Sequence, residues 1–326
     1  MKVLLTGANG LLGSHILDAL CESGAQARIF IRRTSDTSFI RGRLPQVEVC
    51  YGSLTDPGAL GAAMADIEYV IHCAGKTKAI GMSEFYMVNR DGARYVADAA
   101  SDAGSVKHLV HISSRAVLGP SRSRAPATED DPPGPVSEYG RSKLAGEQEV
   151  IARAKIPYTI LRPSAIYGPR DVECLRIFRM VKRRLMPLFE SGRQELSLAY
   201  VRDVADAALR VMGAPAAAGR IYNVASPEVC TSRDILEEIA RQLRLHPLRI
   251  PLPVGAIYPV CVLQELVSRL THKPNILGRE KYKELKAAGW VCSTERLKRE
   301  LGFVCRTSLS EGVALSLDWY GRHGWV

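Results

Sequence analysis

The sequence predicts an α/β fold, a doubly wound parallel sheet joined to a smaller, mostly helical C-terminal region. Three observations carry that expectation. Short apolar runs alternate with helix-period segments through the first half of the chain, which is the rhythm of right-handed strand–helix–strand crossovers. Two of the runs, 108–112 and 158–161, are mostly apolar, as strands covered on both faces must be. The first run, 2–5, passes directly into a glycine-rich turn and then a helical pattern.

Taken in order, residues 2–5 read as a strand, 11–22 as a helix, and 27–31, 47–51 and 69–73 as strands. A helix near 84–103, a strand at 108–113, a helix near 138–154 and a strand at 158–161 complete the alternation. After Arg162 the rhythm changes. Residues 167–170 read as a turn, 173–186 as a basic helix, 200–212 as a short strand entering a helix, and 220–225 as a further strand. Thr231, with Asp234 three positions on, marks a helix start. Helices dominate from there, the last short one capped by Ser293 and stopped at Gly302. The expected division is a dinucleotide-type region of residues 1–165 plus 199–225, and a second region of 166–198 plus 226–326. The connection 120–135, rich in Pro, Ser and Arg, suits a mobile loop over a site.

Composition narrows the class. At 326 residues, with 46% hydrophobic and 24% charged residues, the chain is neither disordered, collagen-like nor a coiled coil. Its longest nearly uncharged run, 250–264, contains Pro251, Pro253 and Pro259 and is too short to span a bilayer. The first strand begins at Lys2, so no secretory leader is expected. Cysteines at 21, 50, 73, 174, 230, 261, 292 and 305 form no Cys-x-x-Cys pair. Neither they nor the histidines at 15, 72, 108, 111, 246, 272 and 323 show ligand spacing. A cytoplasmic protein with reduced core cysteines, structural histidines and no metal is expected. The net charge of +10, from 44 basic against 34 acidic residues, favours an anionic partner. No zinc finger, basic arm or aromatic–basic RNA motif is present, so that partner reads as a cofactor or substrate rather than nucleic acid.

The turn Thr6-Gly-Ala-Asn-Gly-Leu-Leu-Gly13 sits between the first strand and first helix. Gly7 permits a tight turn, Gly10 lets a pyrophosphate approach the backbone, and Gly13 lets helix and strand pack closely. With Asn9, Leu11 and Leu12, these residues form a phosphate cradle at a helix N-terminus, the mark of a Rossmann-type dinucleotide fold. The second strand ends in Arg32 and Arg33, then Thr34 and Ser35, where an acid holds the ribose 2′-hydroxyl of NAD in such folds. Two guanidinium groups and two hydroxyls instead suit a 2′-phosphate, so NADP is favoured, with NAD the alternative; the plainer reading is that both arginines are solvated. Ser53 and Leu54 are expected at the adenine edge, and Cys73, Ala74 and Gly75 along the cofactor's middle.

Tyr139 and Lys143 stand four residues apart on one helical face. A phenol with a pKa near 10 is a poor acid or base at neutral pH; a neighbouring cation brings it down. Ser114 closes the fifth strand, where open α/β sheets carry ligands, and its hydroxyl suits a substrate oxygen. Asn89 is a further polar candidate, with helix capping or packing as its other reading.

These motifs resemble an extended short-chain dehydrogenase/reductase of the NAD-dependent epimerase/dehydratase superfamily. The likeness covers nearly the full length, through residues 6–13, 72–75, 89, 113–114, 139–143, 162–169, 200–203 and 221–224. It implies Tyr139 as acid/base, Lys143 as its tuner, Ser114 rather than Ser113 as the carbonyl-holding residue, and Asn89 as a site residue. It places Ser113, Pro163 and Ile166 along the cofactor, and implies a homodimer through the helices near 84–103 and 138–154. Departures narrow the branch. Arg115 and Ala116 replace the Asp–Glu pair of sugar dehydratases, and Leu196 stands where many nucleotide-sugar epimerases hold an arginine. Residues 32–35, 196–200 and 252–266 look more like the 3β-hydroxysteroid dehydrogenase and dihydroflavonol reductase branch. The expected activity is therefore hydride transfer between NADP and a hydrophobic ketone or secondary alcohol. A nucleotide-sugar epimerase and a non-catalytic nucleotide sensor are the alternatives.

Two segments stay outside that site. The basic helix 173–186 reads as a solvated face with Leu175, Ile177, Phe178, Val181 and Leu185 packed inward, or as a dock for an anionic substrate tail. Residues 252–270 read as a helix packed on its own region, with a lid resting on a membrane as the lesser reading.

Overall fold

In the computed structural model the described residues are 1–79, 81–121, 125–271 and 278–326. Residues 122–124 of the 120–135 connection, and His272, lie outside them. The first half alternates as the sequence implies: β1 (Lys2–Thr6), α1 (Leu11–Glu22), β2 (Gln26–Ile31), β3 (Glu48–Tyr51), α2 (Pro57–Ala63) and β4 (Tyr69–His72). Then come α3 (Met82–Tyr86), α4 (Gly92–Asp102), β5 (His108–Ile112), α5 (Glu138–Arg153) and β6 (Tyr158–Pro163). The remainder comprises β7 (Ala165–Tyr167), α6 (Val172–Lys182), β8 (Leu185–Phe189), β9 (Glu195–Tyr200), α7 (Val201–Val211), β10 (Arg220–Val224) and β11 (Val229–Thr231). It ends with α8 (Ser232–Gln242), β12 (Leu248–Leu252), α9 (Tyr258–Thr271), α10 (Arg279–Lys286), β13 (Gly289–Trp290), α11 (Glu295–Leu301) and α12 (Leu309–Arg322).

Seven parallel strands form the main sheet in the order β10-β6-β5-β4-β1-β2-β3. Burial on both faces explains the continuous apolar runs of β1, β2 and β5. One face is covered by α1 and α7, with Ile16, Leu17, Val204 and Tyr222 in its core. The other is covered by α2, α4 and α5, around Leu60, Val96, Ala97 and Val150. The strand order reverses between β1 and β4, which opens a crevice at their C-terminal ends.

β9, the strand expected ahead of α7, does not enter this sheet. It pairs with β7, β11 and β13 in a second sheet beside the C-terminal ends of the main strands. β8 and β12 form a two-stranded parallel ribbon, and α6, α8 and α12 pack on a separate core around Phe178, Ile239 and Tyr320.

Three local expectations need correction. The basic helix α6 stops at Lys182, because Arg184 adopts φ +61° and turns the chain into β8. Leu185, expected inward, is consequently exposed. The helix near 84–103 is interrupted by a π-turn over Met87–Asp91, whose extra residue no apolar periodicity reveals. The cap of α11 is Thr294; the Ser293 hydroxyl accepts instead from the Glu295 amide at 3.3 Å. Elsewhere the local chemistry follows the residue types: Thr231 and Asp234 form a reciprocal capping box on α8, and Gly302 ends α11 at φ +64°.

Candidate active site

The crevice is built first by the glycine turn. Gly7 sits at φ +73°. A Cβ on Gly13 would lie 2.0 Å from the Gly7 carbonyl oxygen, so only glycine lets α1 start against the turn. Gly10 caps α1 without a side chain, and the first turn of the helix carries no acid. Its leading N–H groups therefore face outward with a positive partial charge, which suits a pyrophosphate. Beneath the turn, the Thr6 hydroxyl pairs with His72 Nδ1 at 2.7 Å and accepts from the Ala74 amide at 3.2 Å, locking the ends of β1 and β4 together. The motif of residues 6–13 includes Thr6, but its hydroxyl has a role that only the pairing of β1 with β4 reveals.

Arg32 and Arg33 follow β2 directly and both are exposed. Arg33 stacks over Tyr51 at 4.9 Å; Arg32 carries no side-chain hydrogen bond or ion pair among the described residues. Ser53 turns its hydroxyl to Thr55 at 2.8 Å, and Leu54 packs against Gly92. Pro163 ends β6 in the interior, and Ile166 lies half-buried in β7.

Across the crevice, Ser114 is half-buried at the end of β5, and Tyr139 is brought to it by α5. A Cβ on Gly140 would lie 2.7 Å from the Ala116 carbonyl oxygen, so glycine there lets α5 approach the turn after Ser114. The Ser114 hydroxyl lies near enough to the Tyr139 phenol to act on it. Burial pushes the Tyr139 phenol above its usual pKa, and the Ser114 hydroxyl partly offsets this. This differs from the expectation that Lys143 brings the phenol down. The reason is placement: the buried Lys143 ammonium donates to the Ile112 carbonyl at 2.6 Å and is not among the groups that act on the phenol. Burial also pushes Lys143 itself down to about 8. A Cβ on Gly75 would lie 3.3 Å from Asn89 Oδ1 and 3.8 Å from Lys143 Nζ, so bare backbone, amide and ammonium converge on one spot.

Asn89 stands on the π-turn and all its polar atoms are used within the protein. Its Oδ1 accepts from the Lys76 amide at 2.8 Å, and its Nδ2 donates to the Lys76 carbonyl and the Ser142 hydroxyl at 3.0 and 2.9 Å. It is a strut that ties the loop after β4 to α5. Ser113, expected along the cofactor, points its hydroxyl away, to Glu147. Glu147 also holds Arg162 through two bonds of 2.9 and 2.7 Å, a buried pair that anchors α5 to β6. Glu147 extends the face begun by Tyr139 and Lys143, so the four-residue spacing was the signal that could have found it. The His72 and His111 rings lie 5.3 Å apart, tilted by 30°, near Lys143, and burial lowers both so that they stay neutral. Among the described residues no group of three His, Cys, Asp or Glu side chains is placed to hold a metal.

A phosphate-receptive helix end and a hydroxyl–phenol–ammonium set facing one crevice define a dinucleotide-dependent enzyme of the dehydrogenase type. The chain belongs to the NAD dependent epimerase/dehydratase family, whose sequence model matches residues 3–225. Over 324 residues it is 32% identical to the ceramide reductase of Caulobacter vibrioides, covering 99% of this chain and 96% of that one. It is 30% identical over 343 residues to sterol demethylase protein B of Methylococcus capsulatus, with 100% of each covered. The crystal structure of gox2253 matches it with a TM-score of 0.82 at 26% identity, covering 100% of this chain and 99% of that one. The protein is accordingly an NAD(P)-dependent enzyme of the dehydrogenase/reductase kind.

Proposed function

We propose that this protein interconverts a ketone and a secondary alcohol on an apolar, lipid-like molecule, with NADP(H) preferred over NAD(H). The observation that carries the reading is the Ser114 hydroxyl set beside the Tyr139 phenol, with the buried ammonium of Lys143 one helical turn further along α5. Arg115 fills the position where elimination chemistry needs a carboxylate, and its guanidinium is turned to the carbonyls of Gly119 and Val291.

When bound, the dinucleotide supplies or takes up hydride; the glycine turn, the N-terminus of α1, Arg32 and Lys143 are the residues that would hold it. Ser114 positions the substrate oxygen by hydrogen bonding. Tyr139 delivers its proton to that oxygen as the adjacent carbon becomes a secondary alcohol, and takes the proton back in the oxidative direction. Arg32, exposed and without a side-chain partner among the described residues where NAD-specific folds hold an acid, supports the 2′-phosphate preference. The names of the ceramide and sterol relatives support an apolar substrate. Leu196 lies in β9, bonded to Cys230 of β11, and supplies no charge for a sugar-linked diphosphate, which weighs against an epimerase.

The test is nicotinamide absorbance with NADPH and NADH against long-chain acyl ketones, sterols, flavonoids and nucleotide sugars. Turnover with an apolar ketone is expected. Tyr139→Phe should lose roughly 100-fold or more in turnover while retaining dinucleotide binding. Undiminished turnover in that variant, or turnover of nucleotide sugars alone, overturns the reading.

A further inference from the structure

Helix α9 carries an exposed stripe of apolar side chains. Tyr258, Val260, Val262, Leu263 and Val267 are 43–61% exposed, while Cys261 is the fully buried residue of its first turns. A helix of a water-surrounded protein turns such a stripe inward. α9 packs on α10 and on the single turn Val254–Ile257, with the rings of Tyr258 and Tyr282 5.0 Å apart. Among the described side chains of α9, these apolar ones are thus left facing away from the small unit. Among the described residues no helix is long and apolar enough to cross a membrane, so a transmembrane role does not account for α9.

The surroundings of α9 are cationic. Residues 258–286 carry six Lys or Arg against three Glu, and Lys283 and Lys286 of α10 are exposed. Apolar side chains flanked by cations match an anionic bilayer surface, where the former sink to the acyl boundary and the latter meet phosphate. A second copy of the chain fits less well, because pairing the apolar stripes would bring two cationic segments together.

The unit also stands beside the chemistry. Gln194 donates to the carbonyls of Glu284 and Ala287, each at 2.8 Å, fastening the end of α10. The Trp290 indole donates to the Glu284 carbonyl at 3.0 Å, and the Arg115 guanidinium lies 5.1 Å over the Trp290 ring. Arg115 directly follows Ser114, and the Glu284 carboxylate is near enough to Tyr139 to act on its phenol.

We propose that α9 is an interfacial docking helix that seats the enzyme on an anionic phospholipid surface, so that an apolar ketone passes from the bilayer to Ser114 and Tyr139. This rests on the reading of an apolar, lipid-like substrate. The test is co-sedimentation with vesicles of phosphatidylcholine containing about 30 mol% phosphatidylglycerol, against pure phosphatidylcholine. The wild type should pellet with the anionic vesicles. Leu263→Asp/Val267→Asp should partition at least about tenfold more weakly, and Lys283→Glu/Lys286→Glu should weaken binding to anionic vesicles specifically. Both pairs are exposed, and far-ultraviolet circular dichroism checks that the variants fold. Their turnover of a water-soluble ketone should match wild type, while turnover of a vesicle-embedded ketone falls with vesicle binding. Tyr139→Phe should bind vesicles as wild type does, so docking is read apart from the reaction. Wild-type protein that stays in the supernatant overturns the proposal. So does equal partitioning of the aspartate variant, or a wild-type dimer that this variant dissociates with no vesicle binding.

Discussion

Replacing Lys143 by methionine should make the cofactor-free protein more stable at neutral pH while abolishing turnover. Lys143 is 4% exposed, and among the described residues its ammonium has one hydrogen-bond partner, the Ile112 carbonyl at 2.6 Å. Burial lowers its pKa from 10.5 to about 8. At about 1.36 kcal/mol per pH unit, that lowering means that folding with the charge in place costs about 3 kcal/mol. Methionine removes that cost and leaves the Ile112 carbonyl without its donor, a loss of about 1 kcal/mol. The net gain at pH 7 is about 2 kcal/mol. With an unfolding entropy of about 2.1 cal/mol/K per residue over 326 residues, the midpoint should rise by about 3 °C.

The pH dependence supplies the sharper test. The folded-state pKa lies below the unfolded one, so between pH 8 and 10.5 the unfolded chain holds the proton that the folded chain has released. Unfolding free energy of the wild type therefore rises with pH through that window relative to the variant. The neighbouring His72 and His111 are neutral throughout it, and Cys73, raised to about 12, stays protonated. The gap should shrink to near zero by pH 10. Calorimetry of both proteins without cofactor at pH 7 and pH 10 reads it. A variant less stable than wild type at pH 7, or a gap that does not change with pH, refutes the placement of a charged, poorly compensated ammonium at this position.

Gly13→Ala should weaken dinucleotide binding about tenfold or more and lower stability by about 2 kcal/mol, because the new Cβ falls 2.0 Å from the Gly7 oxygen; fluorescence titration and thermal melting check both. Glu147→Gln should cost about 3 kcal/mol, seen as a fall in denaturation midpoint, since it strands the buried Arg162 guanidinium and the Ser113 hydroxyl. Arg32→Asp should weaken NADP(H) about tenfold more than NAD(H) in the same titration; equal effects on both would discard the 2′-phosphate contact.

Much of the fold was legible because its signals are local. Apolar strands buried on both faces, a glycine turn that only glycine can make, and a phenol and ammonium four residues apart are written within a few positions of one another. What was not legible depends on chain segments far apart in sequence. The direction of Ser113 is set by Glu147, 34 residues on, and the place of Lys143 by the carbonyl of Ile112, 31 residues before it. Neither partner is implied by the tyrosine–lysine spacing, which is why the ammonium was expected at the phenol rather than at the Ile112 carbonyl. The π-turn at Asn89 adds one residue to a helix without disturbing its composition. β9 resembles any buried strand, and its membership of a second sheet follows from β7, β11 and β13, the last of which lies some ninety residues downstream.

Arg115 shows how such distant contacts bear on function. By position it occupies the place of a catalytic acid in related elimination enzymes, and by contacts it does structural work for the same site. Its guanidinium closes the turn after Ser114 through the Gly119 carbonyl and reaches the Val291 carbonyl at 2.9 Å. It lies over Trp290, whose indole holds the end of α10. The serine turn, the strand β13 and the α9–α10 unit are thus joined through one buried cation with no carboxylate partner among the described residues. A displacement of α10 on docking would be felt at Ser114 through this link rather than through the long connection 120–135. Arg115→Met keeps the bulk and removes the bonds. It should raise KM for an apolar ketone while leaving dinucleotide affinity unchanged, and an equal loss in both would mean that Arg115 serves the main sheet rather than the substrate side.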